Sequence, residues 1–171
     1  MRTHYLLVSL ALLLIACNKN TETTEKERPL ATKTEKKGTT LMVMNDQYNG
    51  IEYQVGAFNM GIERLANKEL KNYLQEHLPE LEDLRTDFQV IAEKNNMEIK
   101  SSSEVNQKEL YKLSIADTKD FDKIFVMYYK GFLNKSINQL SELETPNEEF
   151  KQLKNKYGSI LYEQKLYFDV L

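Results

Sequence analysis

Cysteine and histidine are scarce in this chain. There is one cysteine, Cys17, and there are two histidines, of which His4 lies in the apolar leader and leaves His77 as the one imidazole of the rest. A lone cysteine excludes an internal disulfide, and once modified it leaves no thiol for a zinc–cysteine site or cysteine catalysis. One histidine cannot build a His-rich zinc site. Proline (three) and glycine (six) are few, and no alternating strands flank an Asn-Gly turn. No block of one charge sign occurs and the net charge is −3, which argues against the basic stripe that nucleic-acid binding needs. Long hydrophobic runs are absent except for Tyr5 to Ala16, about a dozen residues and too short to span a bilayer core of ~30 Å.

That run, with Arg2 before it and Leu14-Ile15-Ala16-Cys17 at its end, has the layout of a secretory leader closing on a lipobox. A small residue directly before the cysteine, and the polar Asn18-Lys19-Asn20 after it, mark a processing border and not a core position. The expectation is a signal peptide over 1–16, thiol diacylation (palmitate-type chains) at Cys17 and acylation of the new amino terminus. Two or three chains, at ~0.8 kcal/mol per buried methylene, anchor a domain where one chain holds only marginally. The expected location is the bacterial cell envelope, the outer membrane ahead of the inner, with the membrane as a partner through the lipid. Residues 17–40 are Thr, Lys and Glu with almost nothing apolar and read as a disordered tether. The domain is expected over 41–171, long enough for a real core.

Within it the apolar spacing is helical. Ile51, Val55, Phe58, Ile62 and Leu65 form one stripe; Leu70, Leu74, His77, Leu81, Leu84, Phe88 and Ile91 form a second, sustained for three heptads, with Pro79 expected to kink it. Ala66-Asn67-Lys68-Glu69 is a weak break between them, so the spacing leaves open whether they are separate. Lys94 to Ser103 reads as a loop and Glu104 to about Ile115 as a short helix. Asp117 to Asp120 offers caps for a helix carrying Phe121, Phe125, Tyr128, Phe132, Ile137 and Leu140. Thr145-Pro146-Asn147-Glu148 reads as a capping box with proline at the first helical position, opening a last helix with Phe150, Leu153, Tyr157, Ile160, Gln164, Tyr167 and Leu171. The expected class is all-α, an antiparallel up-down four-helix bundle.

Catalytic patterns are missing. Leu74 stands three residues before His77, so the Glu-x-x-His element of a di-iron bundle is not there. His77 reads as a polar residue at a bundle edge. No phosphate-cradling or nucleophile-elbow motif occurs, and His77 is in no triad pattern with the serines. Glu80, Glu82 and Asp83 fall between heptad positions, as solvated faces do. The expectation is therefore no enzyme, no cofactor and no metal. The ten tyrosines and seven phenylalanines concentrate late in the chain, where Tyr128, Phe132, Tyr157 and Tyr167 are candidates for an aromatic groove for a peptide, a lipid or a small apolar ligand.

Residues 45 to 171 resemble an exported bacterial family of unknown function, domain-of-unknown-function family 4142. The resemblance rests on the AxxELKxYL pattern at Ala66 to Leu74, on Ile91-Ala92-Glu93-Lys94-Asn95 and on Phe121-Asp122. It implies a ferritin-like bundle. It also places the family's Asp-His pair on Glu80-Leu81, its third-helix histidine on Phe132 or Leu133, and its last near Gln164; Asp122 alone keeps its type. His77, Asp122 and Gln164 are accordingly the candidate polar core or site positions. Phe132 and Gln164 are expected to point inward on neighbouring helices, with Tyr128, Asp122 or water as partners of the Gln164 amide and a near-neutral or stabilising Gln164→Leu. Three functions compete: an envelope-anchored binding or structural module, a degenerate ferritin-like metal protein or enzyme using Asp122 and His77, and an immunity-like inhibitor docking an envelope protein.

Overall fold

The computed structural model describes residues 28–100, 103–142, 144–145 and 147–171, with side chains from residue 40 and, after the break at 101–102, from residue 107. The described residues form helices and turns without strands: α1 (Arg28–Arg64), α2 (Lys68–Lys94), α3 (Ser103–Ser114), α4 (Phe121–Glu142) and α5 (Glu148–Asp169). A compact helical unit runs from Thr39 to Leu171. Helix α1 begins earlier, at Arg28, inside the stretch that the composition reads as a tether. The signal segment and Cys17 lie outside the described residues. None of the described helices is long and apolar enough to cross a membrane.

The weak break after α1 is a true helix boundary. Asn67 caps α2 by accepting from the Leu70 N–H at 3.1 Å, which removes one of the orphan donors of a helix start. Helix α2 ends on Asn95 and on Asn96, whose φ of 51° is the left-handed conformation that asparagine tolerates. There the Met97 N–H reaches the Ala92 carbonyl at 2.9 Å and the Asn96 N–H reaches Glu93 at 3.0 Å, which closes the helix as a Schellman motif. Pro79 stays within one continuous α2 and is exposed, so the Gln75 carbonyl it leaves without an N–H partner is free to meet water.

The capping of α5 falls two residues later than the sequence suggests. Asn147, not Thr145, is the N-cap: its Oδ1 accepts from Glu149 N–H at 2.9 Å and Phe150 N–H at 3.2 Å. The Thr145 hydroxyl instead receives the Asn147 N–H at 3.4 Å, one step outside the helix.

Cross-helix contacts fix the direction of each helix. Tyr48 and Glu52 of α1 meet Gln89 and Arg85 of α2, at 2.7 and 3.5 Å, while Gly61 faces Leu74, so the two run antiparallel. Tyr53 meets Phe132, Phe58 meets Tyr129 and Arg64 covers Phe121, which runs α4 antiparallel to α1. Tyr73 meets Tyr167, Asp87 meets Lys156 and Lys94 meets Glu149, which sets α5 antiparallel to α2. The segment between α2 and α4 travels back along α1, from the Lys100 N–H on Asn45 Oδ1 (3.0 Å) through Leu110 at Gly56 to the Leu113 carbonyl on Arg64 (2.9 Å).

The α2 stripe is buried as its periodicity predicts at Leu70, Leu74, Leu81, Leu84 and Phe88, with Ala92 added and His77 and Ile91 half-buried. On α4 the stripe differs by one residue. Tyr129 and Leu133 are the core positions, and Tyr128 and Phe132 are only partly covered. Steps of four from Phe121 through Phe125, Tyr129, Leu133 and Ile137 keep one ridge in line, and the choice of Tyr129 over Tyr128 gives a buried hydroxyl its partners. On α5 the same slip puts Phe168 inside in place of Tyr167, and Leu171 is exposed.

Leu81 and Phe88 are closed to solvent whereas Glu82 is exposed. Leu81→Ala and Phe88→Ala should each cost about 2–5 kcal/mol in chemical denaturation. Glu82→Ala should cost less than ~0.5 kcal/mol.

Candidate functional site

The first candidate positions do not converge. Asp122, in the first turn of α4, accepts from the Ala66 N–H on Oδ1 (2.9 Å) and from the Asn67 N–H on Oδ2 (2.7 Å). Its carboxylate thus closes the turn between α1 and α2, a structural task that occupies both oxygens. His77 is half-buried on α2, with Nδ1 at 3.7 Å from Glu80 Oε2 and its ring 4.3 Å from that of Tyr73. Tyr73 lies flat on Tyr167, centroids 3.6 Å apart and planes within 2°. Among the described residues, no three His, Cys, Asp or Glu side chains gather into a group that could hold a metal ion.

Gln164 is buried, as its place in the α5 stripe predicts, but its partners are others than expected. Its Oε1 accepts from Gln54 Nε2 at 2.6 Å and from the Tyr129 hydroxyl at 2.8 Å, and Gln54 Nε2 also donates to the Tyr129 oxygen at 2.8 Å. The three side chains, none more than 1% exposed, form a closed polar triad joining α1, α4 and α5. Phe58, Phe125, Phe132 and Phe168 surround the Tyr129 ring with centroids 4.6–5.8 Å away. The triad is only partly satisfied, because Gln54 Oε1 and Gln164 Nε2 have no partner. Periodicity could have pointed to Gln54: Gln47, Ile51, Gln54 and Phe58 continue the α1 stripe at steps of four and three.

Tyr128, Phe132 and Tyr157 line one groove of about 600 Å³, together with Tyr53; Tyr167 is elsewhere, stacked on Tyr73 at the α2–α5 contact. Helix α1 supplies one wall (Asp46, Gln47, Asn49, Gly50 and Tyr53) and α4 the other, from Met127 to Leu140. Tyr53 and Phe132 meet across it at 4.6 Å, inclined by 35°. Two glycines shape the space. Gly50 admits the Tyr157 hydroxyl where a Cβ would lie only 2.5 Å from it, whereas a Cβ on Gly131 would meet nothing within 4 Å. The volume is in the range of small-molecule sites.

Two polar groups of this lining are buried without partners, Gln47 Nε2 and the Tyr157 hydroxyl. Ser136 stands near enough to Tyr157 to favour ionisation, yet the pair makes no hydrogen bond of ordinary geometry, and burial pushes this phenol far upward. Burial, then the Glu109 carboxylate and Tyr128, raise Tyr53 to about 12. Both phenols therefore stay neutral donors at ordinary pH. Glu109 is itself paired with Lys112 at 2.7 Å.

Comparison with known protein families, characterised proteins and solved structures finds no match to this chain.

Gln164→Leu removes the acceptor of both the Gln54 amide and the Tyr129 hydroxyl, so it should destabilise by about 1–3 kcal/mol, against the near-neutral outcome that periodicity suggests. The Gln54→Leu/Gln164→Leu double variant should lose less than the sum of the single losses in denaturant titration.

The tyrosines define an alkaline limit. Tyr53, Tyr129 and Tyr157 all hold their protons above the ordinary phenol value of 10.0 because burial penalises the anion. Their contribution to stability is whole below that value and is lost as pH rises from there through the folded-state pKa, because the unfolded chain gives up these protons first. Tyrosinate absorbance of the buried set should rise together with loss of the helical circular dichroism signal, not before it.

Proposed function

We propose that this chain is a bacterial lipoprotein, anchored to the cell envelope through acylated Cys17, whose helical domain is a non-enzymatic binding module with the α1–α4 groove as its recognition site. The groove carries the reading. It has aromatic walls and open space beside Gly131. The lipobox supports the anchor, since Ala16-Cys17 closes an apolar run of secretory length.

The arrangement proposed for the four long helices is a bundle with ferritin-like connectivity. The direction of the pair contacts supports it. Helices α1 and α2 run antiparallel, α4 follows α2 in direction, and the α3 segment supplies the one long crossover between them, which departs from a simple up-down sequence. That connectivity favours the resemblance to family 4142 at the level of fold. It does not extend to a metal site, since His77, Asp122 and Gln164 have separate structural partners.

Two experiments test the two halves of this reading. Cys17→Ala should abolish incorporation of labelled palmitate and leave an unprocessed chain; wild-type protein that takes up no label in a bacterial host rejects the anchor. The uncharged dye N-phenylnaphthylamine should gain fluorescence on the wild-type protein and lose that gain in Gly131→Phe, which fills the groove without entering the core. Equal fluorescence of the two proteins rejects the groove.

A further inference from the structure

One glycine of the bundle has no neighbour to account for it. Gly50, Gly56, Gly61 and Gly158 each admit a side chain to 2.5–2.9 Å from where a Cβ would stand, whereas a Cβ on Gly131 would meet nothing within 4 Å. Glycine in a helix interior weakens the helix relative to alanine, and Gly131 lies in the middle of α4, exposed at the groove. The charge around it is of one sign. Between Asp122 and Glu142, α4 carries Lys123, Lys130 and Lys135 and no acidic residue, in a chain whose net charge is −3. Among the described residues, none of these three lysines takes part in an ion pair.

We propose that the α4 side of the groove docks an acidic amphipathic helix of a protein partner, with carboxylates on Lys123, Lys130 and Lys135 and the partner's backbone drawn close at Gly131. This names the partner class for the groove and rests on the groove being the recognition site.

Lys123, Met127, Gly131 and Lys135 recur at steps of four and form one ridge of α4, about 18 Å long at 1.5 Å per residue. Helices pack by fitting ridges into grooves, and the missing side chain at Gly131 opens a gap in this ridge between Met127 and Lys135. Met127, 59% exposed, is a flexible apolar contact beside the gap, and Tyr128 and Phe132 carry the apolar surface on into the groove. Lys135 belongs to the groove lining, while Lys123 and Lys130 stand outside it. A helix with an apolar face bordered by carboxylates meets both surfaces at once. The acids of the lining, Asp46 and Glu109, belong to α1 and α3, and Glu109 is paired with Lys112, so α4 is the wall that receives negative charge. An anionic bilayer would meet the same lysines, but a plane of headgroups gains nothing from a gap one residue wide.

The test uses three fluorescein-labelled peptides of about 16 residues, long enough at 1.5 Å per residue to span the ridge. They share leucines at helical spacing on an alanine background and carry Glu, Gln or Lys beside the leucine face. Binding is read by anisotropy on the full-length lipoprotein in phosphatidylcholine nanodiscs, with empty discs as baseline. The Glu peptide should bind at least ~10-fold more tightly than the Gln peptide and the Lys peptide most weakly, three ion pairs of ordinary strength sufficing for that ratio. The advantage should shrink as salt rises. The triple variant Lys123→Gln/Lys130→Gln/Lys135→Gln should bring the Glu peptide down to the affinity of the Gln peptide. Gly131→Ala should raise the thermal midpoint of the protein and yet weaken the Glu peptide, two changes of opposite sign that a purely structural glycine would not give. Equal affinities of the Glu and Gln peptides, or an unchanged Glu-peptide affinity in either the triple variant or Gly131→Ala, overturn the proposal. So does a face whose lysines govern binding to phosphatidylglycerol vesicles while the Glu peptide stays free. If the Glu peptide fails on protein that still brightens N-phenylnaphthylamine, the partner assignment falls and the groove stands; if both fail, the groove reading falls with it.

Discussion

The enclosure of α1 is the constraint on which the rest of the structure depends. Tyr53, Gln54, Val55, Ala57 and Phe58 are all buried, so this stretch is covered over most of its circumference, and helices on several sides must come close to it at once. Small residues permit that approach. At Gly61 an added Cβ would lie 2.5 Å from Leu74 of α2 and 3.0 Å from the Phe125 ring of α4, and at Gly50 it would strike Tyr157 of α5. Two other groups secure the C-terminal end of the same helix. The Arg64 guanidinium covers Phe121 at 4.2 Å and donates to the carbonyls of Leu113, Ser114 and Ala116, which terminates α3 against α1. Asp122 then receives the first two N–H groups of the turn into α2.

A helix surrounded in this way buries its polar residues along with its apolar ones. Gln54 has nowhere to reach water, and an unpaired amide there would cost more than its burial returns. The answer is supplied from two other helices, by Tyr129 and Gln164. The bonds are directional, so they constrain the register among α1, α4 and α5 more tightly than apolar contact alone, which tolerates sliding. A phenol ring is well suited to the position, since its body packs among four phenylalanines while its oxygen reaches the two amides.

How much of this was legible in the sequence depended on how unambiguous each stripe was. The α2 seam has leucines separated by charged residues, so Leu70, Leu74, Leu81, Leu84 and Phe88 were identifiable from spacing alone, and Gln164 was recognisable as inward because it stands in phase with Leu153, Tyr157 and Ile160. In α4 the apolar residues come in adjacent pairs, Tyr128-Tyr129 and Phe132-Leu133, and spacing alone cannot say which of each pair enters the core. The same holds for Tyr167-Phe168. The choice was made by tertiary partners, above all the Gln54 and Gln164 amides, which lie 75 and 35 residues from Tyr129 and leave no local trace. Asp122 shows the converse limit: a residue singled out for chemistry proved to be a cap for a turn more than fifty residues away.

The register of α4 is also what makes the groove. Once Tyr129 and Leu133 are drawn inward, Tyr128 and Phe132 are rotated by the ~100° step of a helix to its flank, where they have no fourth helix to cover them fully. Phe132 then bridges the two environments, touching Tyr129 on the core side at 5.8 Å and Tyr53 on the groove side at 4.6 Å. Gly131, one residue before it, keeps the flank open. Binding surface and core are thus two consequences of one packing decision. A substitution that weakens the buried triad acts on the groove as well, through the single ring that both share.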